Sequence, residues 1–210
     1  MSEKPRMAAN SWSRRQARDP FVKKANKAGY RSRSAWKLIE LDDKDHLISA
    51  GDQIVDLGAA PGGWSQVAIQ RSQPNGRVLA VDLRKIQPIT GLHTIEGDFT
   101  DQDVRNKILK FVGSGQIDLV LSDMAPNISG VRDTDQARSV ALARASFKFA
   151  VESLRLGGTF VVKLFQGSEA EIFRRELESF FQRCVVRKPG SSRADSAEFY
   201  LVARGMHNGE

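Results

Sequence analysis

Four residues that can carry charge alternate between base and acid along the chain: Lys37, Asp123, Lys163 and Glu198. The last three each belong to a segment that we expect to end a strand, and Lys37 belongs to a leading helix. A positioned amine can remove the proton of a hydroxyl group, whose own pKa lies far above neutrality, while that hydroxyl attacks an electrophile. We therefore predict that Lys163 is a general base.

Lysine is normally protonated, so its neutral form must be favoured before it can accept a proton. We expect Lys37 to favour the neutral form of Lys163 by like-charge repulsion, and Asp123 and Glu198 to orient the two amines. The carboxylates act in the opposite direction because they attract the charged form. The sequence favours neither outcome.

The stretch from Asp56 to Trp64, DLGAAPGGW, directly follows a predicted strand and opens a helix. Glycines such as Gly58 let the backbone approach a ligand closely, and open α/β sheets bind ligands at the carboxyl ends of their strands. The spacing is not GxGxxG, and no Lys-Ser/Thr follows as in a phosphate-binding loop. The pattern therefore disfavours a pyrophosphate ligand.

Three acidic residues indicate a ligand that contains a nucleoside. Asp82 ends the second predicted strand, where a carboxylate can accept both hydroxyls of an adenosine ribose. Asp98 could accept a hydrogen bond from the adenine amine, although a Gly-Asp turn explains it equally well. With Asp56 ahead of the glycines, the set suits S-adenosylmethionine better than NAD. The predicted chemistry is attack of a ribose 2′-hydroxyl on the sulfonium methyl group.

Alternating strands and helices must position these residues. Apolar runs predict buried parallel strands at 53–57, 78–81, 117–121 and 159–164, with a weaker one at 92–95. Helical spacing occurs at 64–71, 104–112, 137–154 and 169–181, after a short amphipathic helix that starts near Ser34. We expect an α/β, Rossmann-like fold with a mostly parallel seven-stranded sheet, helices on both faces, and a C-terminal antiparallel hairpin formed by 184–186 and 199–202.

The length of 210 residues suits one domain with tails. We predict a flexible basic arm at 1–30, a single domain at 31–206 and a tail at 207–210. Lysine and arginine outnumber aspartate and glutamate by 32 to 25, which gives a net charge of +7. Such a balance draws a protein towards polyanions, so nucleic acid is the first partner to consider. The alternative is that the excess charge only keeps the protein soluble.

The sequence also excludes several classes of protein. Without an apolar run of about 18–20 residues or a hydrophobic signal segment, we expect a soluble, cytoplasmic protein and no membrane partner. The single cysteine, Cys184, cannot form an intramolecular disulfide. His46, His93 and His207 are too scattered to gather a metal, so no metal is assigned.

Five motifs resemble those of the FtsJ-like family of ribosomal RNA large-subunit 2′-O-methyltransferases. They are RSRSAWKL at 31–38, the loop at 56–66, the segment at 122–130, KLFQG at 163–167 and KPGSSR at 188–193. These motifs are long, specific and spread over nearly the whole chain. The arm and the segment 131–136 depart from the family pattern.

The resemblance implies an S-adenosylmethionine-dependent methyltransferase fold and a catalytic tetrad of Lys37, Asp123, Lys163 and Glu198. The implied cofactor contacts are Gly62, Trp64, Asp82, Asp98 and Asp123. The implied substrate is a uridine in the peptidyl-transferase region of 23S ribosomal RNA, methylated in a pre-formed 50S subunit late in its assembly. We expect the enzyme to act as a monomer.

Basic residues flank the tetrad in sequence: Arg31, Arg33, Lys188 and Arg193. We hypothesise that they contact RNA phosphates, which would position the RNA without reading its bases and make affinity fall steeply with salt. Three alternatives stay open. They are a methyltransferase for transfer RNA or messenger RNA caps, a non-catalytic RNA-binding ribosome-assembly factor, and an NAD-dependent oxidoreductase, which Pro61 and the glycine spacing disfavour.

Overall fold

The computed structural model describes residues 19–113, 116–127, 129–193 and 196–207. In these ranges the helices are α1 Pro20–Lys27, α2 Ala35–Asp45, α3 Gly63–Arg71, α4 Gln102–Val112, α5 Arg132–Ser153 and α6 Ser168–Glu178. The strands are β1 Gln53–Leu57, β2 Arg77–Asp82, β3 Leu92–Glu96, β4 Ile117–Ser122, β5 Leu154–Phe165, β6 Phe181–Arg187 and β7 Glu198–Met206.

The seven strands form one sheet in the order β3-β2-β1-β4-β5-β7-β6. Strands β1 to β5 pair in parallel, whereas β7 runs antiparallel to both β5 and β6. The predicted fold class is thereby confirmed. The predicted C-terminal hairpin is formed by β6 and β7. Its second strand, β7, lies between β5 and the edge strand β6.

Helices cover both faces of the sheet, as predicted. On one face, Ile108 of α4, Phe149 of α5 and Phe173 of α6 pack on inward-facing strand residues such as Val120. On the other face, α2 and α3 pack on the alternate residues of the same strands, among them Leu119. The central strands are buried on both sides, which is why their sequences read as continuous apolar runs.

The prediction of a flexible arm up to residue 30 is wrong for its last part, because Pro20–Lys27 is helical. Asp19 caps this helix by accepting the N–H of Phe21 at 3.0 Å, and proline suits its first position. The helix docks by burying Ala25 and by placing the Lys24 ammonium 3.7 Å from the centre of the Trp36 ring. The rest of the predicted arm, 1–18, lies outside the described residues.

The predicted C-terminal tail, 207–210, begins with a residue that is bonded to the domain. His207 donates its backbone N–H to the carbonyl of Phe180 at 2.9 Å, and 208–210 lie outside the described residues. In the part of the chain that the structure describes, no helix is both long and apolar enough to cross a lipid bilayer.

Candidate active site

The glycine-rich loop joins β1 to α3 in a conformation that only glycine adopts readily. Gly58 has φ +71° and Gly62, the residue that caps α3, has φ +108°. A Cβ at Gly58 would lie 2.2 Å from Cγ of Met124, and one at Gly62 would lie 2.7 Å from Cδ1 of Ile89. These two positions therefore fix both the turn and its close approach to neighbouring loops.

A cavity of about 520 Å³ opens beside this loop, at the carboxyl ends of β1, β2 and β4. Its walls contain four of the predicted cofactor residues, which are Gly58, Asp82, Asp98 and Asp123. The open edge of a parallel sheet is where this class of fold binds ligands, so the location agrees with the prediction.

Three other predicted cofactor residues lie outside the cavity walls: Asp56, Gly62 and Trp64. The Trp64 side chain is buried in the core, where its indole Nε1 donates to the carbonyl of Ser34 at 2.8 Å and its ring packs on Tyr200 at 5.6 Å. Any contact of Trp64 with a ligand would therefore involve its backbone. The cofactor roles of all these residues stay predictions.

Two of the cavity carboxylates already hold nearby backbone. Asp82 accepts the N–H of Ala60 through Oδ2 and the N–H of Arg84 through Oδ1, each at 2.8 Å, and so ties the glycine loop to the end of β2. Asp98 Oδ1 accepts both the N–H and the hydroxyl of Thr100, at 2.8 and 2.7 Å. The turn that the sequence offered as the alternative role of Asp98 is therefore present.

Asp56 is buried at the base of the loop, with 1% of its surface exposed. Its Oδ2 accepts the hydroxyl of Ser65 at 2.6 Å, while Oδ1 has no hydrogen-bond partner among the described residues. Burial, opposed by the Ser65 hydrogen bond and reinforced by the charges of Asp123 and Asp82, raises the pKa of Asp56 to about 7. This carboxyl group is held in place but is costly to ionise.

Lys163, near the end of β5, is bound to Asp123 by two contacts. Its Nζ lies 2.5 Å from the backbone carbonyl oxygen of Asp123 and 2.9 Å from the carboxylate Oδ1. The Lys163 side chain is only 8% exposed and that of Asp123 is 16% exposed. Asp123 also lines the cavity, so the structure places the Lys163 amine directly behind one of the cavity walls.

Lys37 forms a second pair with Glu198, with Nζ 2.5 Å from Oε1 and both side chains about one-tenth exposed. The expectation that Glu198 ends a strand is wrong, because Glu198 begins β7. Since β7 is antiparallel to β5, its first residue meets the carboxyl end of that strand, and Glu198 lies opposite Phe165. The strand direction differs from the prediction, but the residue still reaches the same edge of the sheet.

Tyr200 joins the two pairs and was missed in the sequence. Its hydroxyl donates to Oδ1 of Asp123 at 2.7 Å, and the Lys37 ammonium lies 5.7 Å from the centre of its ring. Strand alternation offered one signal, because Tyr200 stands two residues after Glu198 and so shares its face. An aromatic residue in an apolar strand is more simply explained as core, and only the fold brings it to Asp123.

The charges in this cluster shift two pKa values in opposite directions. Burial alone would raise the pKa of Asp123, but the charges of Lys163 and Lys37, with hydrogen bonds from Lys163 and Tyr200, hold it below its ordinary value. Burial and the carboxylates of Asp123 and Glu198 raise the pKa of Tyr200 well above its ordinary value. Asp123 is therefore an ionised acceptor and Tyr200 a neutral donor at neutral pH.

The guanidinium of Arg31 makes internal hydrogen bonds, and its contact with RNA stays a prediction. It donates to the carbonyls of Gln87 and Pro88, both at 2.6 Å, and to that of Pro61 at 3.3 Å. These bonds brace the segment after β2 against the glycine loop. The residue has a structural role that sequence could not show, because its partners lie 30 to 57 positions away.

Two of the other three predicted RNA residues, Arg33 and Arg193, meet at Asp19, the residue that caps α1. Arg33 and Arg193 share the carboxylate of Asp19, and Arg33 also donates to the carbonyl of Ser191. Lys188 is exposed and donates to the carbonyl of Ser196 at 3.0 Å. Their contact with RNA stays a prediction. An RNA phosphate would have to compete with Asp19 for Arg33 and Arg193.

The described residues contain no group of three or more His, Cys, Asp or Glu side chains able to hold a metal ion.

The strand order, with β7 inserted antiparallel beside β5, and the cavity at the carboxyl edge define a methyltransferase with a Rossmann-like fold. The chain belongs to the family described as FtsJ-like methyltransferase, whose model matches residues 30–206.

Several known proteins are similar to this chain over nearly its whole length. A protein from Thiobacillus denitrificans named ribosomal RNA large subunit methyltransferase E is 46% identical over 206 residues, covering 97% of this chain and 94% of that protein. A relative of the same name from Marinobacter nauticus is 46% identical and covers 95% and 96%. A crystal structure from Plasmodium falciparum, described as a ribosomal RNA methyltransferase, matches with a TM-score of 0.78 at 30% identity and covers 84% and 98%.

Proposed function

We propose that this enzyme transfers a methyl group from S-adenosylmethionine to the ribose 2′-hydroxyl of a uridine in 23S ribosomal RNA of the large subunit. One observation carries the proposal: Asp123 both lines the cavity and binds the amine of Lys163. Asp123 therefore borders the proposed cofactor site and also holds the proposed base. The names of the two bacterial relatives support the substrate class.

The residues that line the cavity suit the proposed cofactor chemically. Its walls combine carboxylates that can accept ribose hydroxyls and an adenine amine with apolar contacts from Val81, Leu83 and Phe99. Asp82, Asp98 and the Gly58 backbone would hold the nucleoside, and Asp123 the part nearest the reacting centre. When bound, the cofactor supplies an electrophilic methyl group.

The chain's own contribution is to take a proton from the incoming hydroxyl. Lys163 must lose its proton before it can act as a base. A lysine amine that has lost its proton has two N–H groups and one lone pair, and Asp123 offers two acceptors for those N–H groups, its backbone carbonyl and Oδ1. The lone pair is then the part of Nζ left for the 2′-hydroxyl. Lys163 would take the proton of the ribose hydroxyl as that oxygen attacks, and the ionised Asp123 would stabilise the resulting ammonium. The bound cofactor would supply the methyl group and leave as a neutral thioether.

Lys37 and Glu198 form the outer part of this arrangement. Their salt bridge balances the charge of Lys37, and the ring of Tyr200 separates the Lys37 ammonium from Asp123. We infer that this pair forms part of the surface that the substrate ribose contacts. The large subunit as substrate implies a cytoplasmic enzyme that acts late in assembly, and we expect it to act as a monomer.

The test is transfer of labelled methyl groups to large subunits that lack this modification, with the modified nucleoside identified by mass spectrometry. Lys163→Ala should reduce turnover at least a hundredfold, because general-base catalysis contributes on the order of 10²–10⁴ in rate. Its affinity for the cofactor should stay within about threefold of the wild type, since Lys163 does not line the cavity. Lys148→Ala, which removes an exposed lysine of α5, is the matched control and should keep full activity.

Two results would count against the proposal. Wild-type-like turnover by Lys163→Ala would remove this amine from the mechanism. Methylation of a base instead of a ribose, or of transfer RNA in preference to the large subunit, would refute the assigned substrate.

A further inference from the structure

A second hollow, of about 270 Å³, lies between the first turns of α6 and the ends of β6 and β7, outside the cofactor cavity. We call it the Phe199 hollow and define it by Gln166, Ala170, Val186, Lys188 and Phe199. None of these residues lines the cofactor cavity or belongs to the predicted tetrad. The roles described so far leave this hollow unused.

Strand register places the hollow at the same carboxyl edge of the sheet as the reacting groups but on the other face, because Phe199 and Tyr200 are successive residues of β7. Lys163 lies opposite Tyr200, and Tyr200 in turn lies opposite Arg187, the residue before Lys188. Because neighbouring strands are about 4.8 Å apart, the backbone of Arg187 is about 10 Å from that of Lys163. An RNA strand that presents a ribose to Lys163 and crosses this edge of the sheet can therefore reach the hollow with an adjacent nucleotide.

The chemistry of the hollow suits an unstacked nucleobase. Ala170, Val186 and the Phe199 ring form an apolar floor, and Val186 is 52% exposed although it lies on the sheet's edge strand. Aromatic side chains are the usual stacking partners of single-stranded bases. The exposed amide of Gln166 offers both a donor and an acceptor to a base edge.

The charge at the rim favours RNA. Glu171 and Arg174, which also border the hollow, bind each other at 2.8 Å, so their charges largely cancel. Lys188 remains as the charge available to a phosphate, in a chain of net charge +7. We propose that the Phe199 hollow binds the base of an RNA nucleotide adjacent to the one whose ribose is methylated. This inference rests on the proposed function, because it assumes that RNA is the substrate.

Steady-state kinetics on unmethylated large subunits test the proposal. Phe199→Ala removes the stacking surface and should raise KM for the subunit about tenfold, while kcat and the affinity for the cofactor change less than threefold. Phe199 also contacts the core, so its replacement could affect folding. A second variant therefore uses the exposed Val186: Val186→Asp places a charge in the hollow and should raise KM about fivefold. The matched control is Leu156→Asp, since Leu156 is 60% exposed at the opposite end of β5 and should leave KM unchanged.

The outcomes separate the two proposals. An inactive wild-type chain would overturn the proposed function and this inference with it. An active wild type with unchanged KM in both variants, or with losses confined to kcat or to cofactor affinity, would overturn the Phe199 hollow alone.

Crosslinking identifies what occupies the hollow. Val186→Cys, combined with Cys184→Ala and labelled with a short photoreactive group, should crosslink to a nucleotide within two positions of the methylated ribose. Leu156→Cys in the same background should give no crosslink there. Crosslinks from position 186 to a ribosomal protein or to distant RNA would refute the assignment.

Discussion

The unfolding free energy of an Asp56→Asn variant, measured relative to that of the wild type, should increase as the pH rises. The carboxyl group is buried, accepts one hydrogen bond from Ser65, and leaves Oδ1 without a partner among the described residues. Asparagine keeps an acceptor for Ser65 and carries no charge. The variant therefore removes the cost of ionising this group. Any effect of the new amide is the same at every pH, so the pH dependence isolates the ionisation.

The magnitude follows from the shift in pKa. The pKa of Asp56 rises from 3.8 to about 7 on folding, and burial is the main cause. A group whose pKa is raised in the folded state contributes stability that is fully present below its unfolded pKa and is lost as the pH rises through the folded value. Three pKa units correspond to roughly 4 kcal/mol, lost between about pH 4 and pH 7. The asparagine variant has no such loss, because its side chain does not titrate.

Urea unfolding of the cofactor-free protein at pH 5, 6, 7 and 8 measures the effect. Relative to wild type, the unfolding free energy of Asp56→Asn should increase by about 3 kcal/mol over this range and level off above pH 7. Asp123 does not interfere, because its pKa is lowered and its contribution is lost only at more acidic pH. Ser65→Ala is the control, since losing its hydrogen bond raises the pKa of Asp56 further and extends the decline above pH 7. Parallel profiles for wild type and Asp56→Asn would refute the reasoning.

Three further substitutions test the loop, the charged cluster and the arm. Gly58→Ala should lower the unfolding free energy by about 2 kcal/mol in urea titrations, because φ is +71° and the new methyl group would collide with Met124; an unchanged value would contradict the loop geometry. Tyr200→Phe should cost about 1–3 kcal/mol and shift the acid loss of stability to higher pH, because the pKa of Asp123 rises without this hydrogen bond; an unshifted acid limb would argue against the contact. Asp19→Asn keeps a helix cap but loses the charge shared by two arginines, so trypsin should cleave α1 faster than in the wild type, and equal cleavage rates would count against this docking.

Hydrophobic pattern predicted the fold well because the central strands are buried on both faces. The run 53–57 coincides with β1 at both ends, and the weak run at 92–95 is β3 at the edge of the sheet. The ends of helices were harder to predict. Helix α5 starts at Arg132, five residues before the expected 137. The prediction missed this first turn because it is polar and contains Asp133 and Asp135. Apolar periodicity cannot detect a turn that lacks apolar side chains, even though Asp135 is itself buried.

Contacts between distant segments limited the prediction of the site. Arg31 carries a charge that suits RNA, but it bonds to backbone carbonyls, which every residue type possesses and no sequence motif marks. The pairing of Asp19 with Arg33 and Arg193 depends on α1 docking near the loop at 188–193, and neither segment indicates the other in sequence. Charge alone therefore assigned to RNA some residues whose described partners are internal.

Asp123 received two predicted roles from the sequence. The residue pattern placed it among the groups that orient Lys163, the family resemblance implied that it contacts the cofactor, and these roles need different atoms. The geometry supplies them, because the backbone carbonyl and Oδ1 face the lysine while the residue also borders the cavity. The carbonyl contact does not depend on the side chain, and the amide oxygen of an Asp123→Asn variant can accept the other bond, so this variant would keep both contacts to Lys163 and lose only the charge. In the proposed mechanism, that negative charge would stabilise the lysine ammonium.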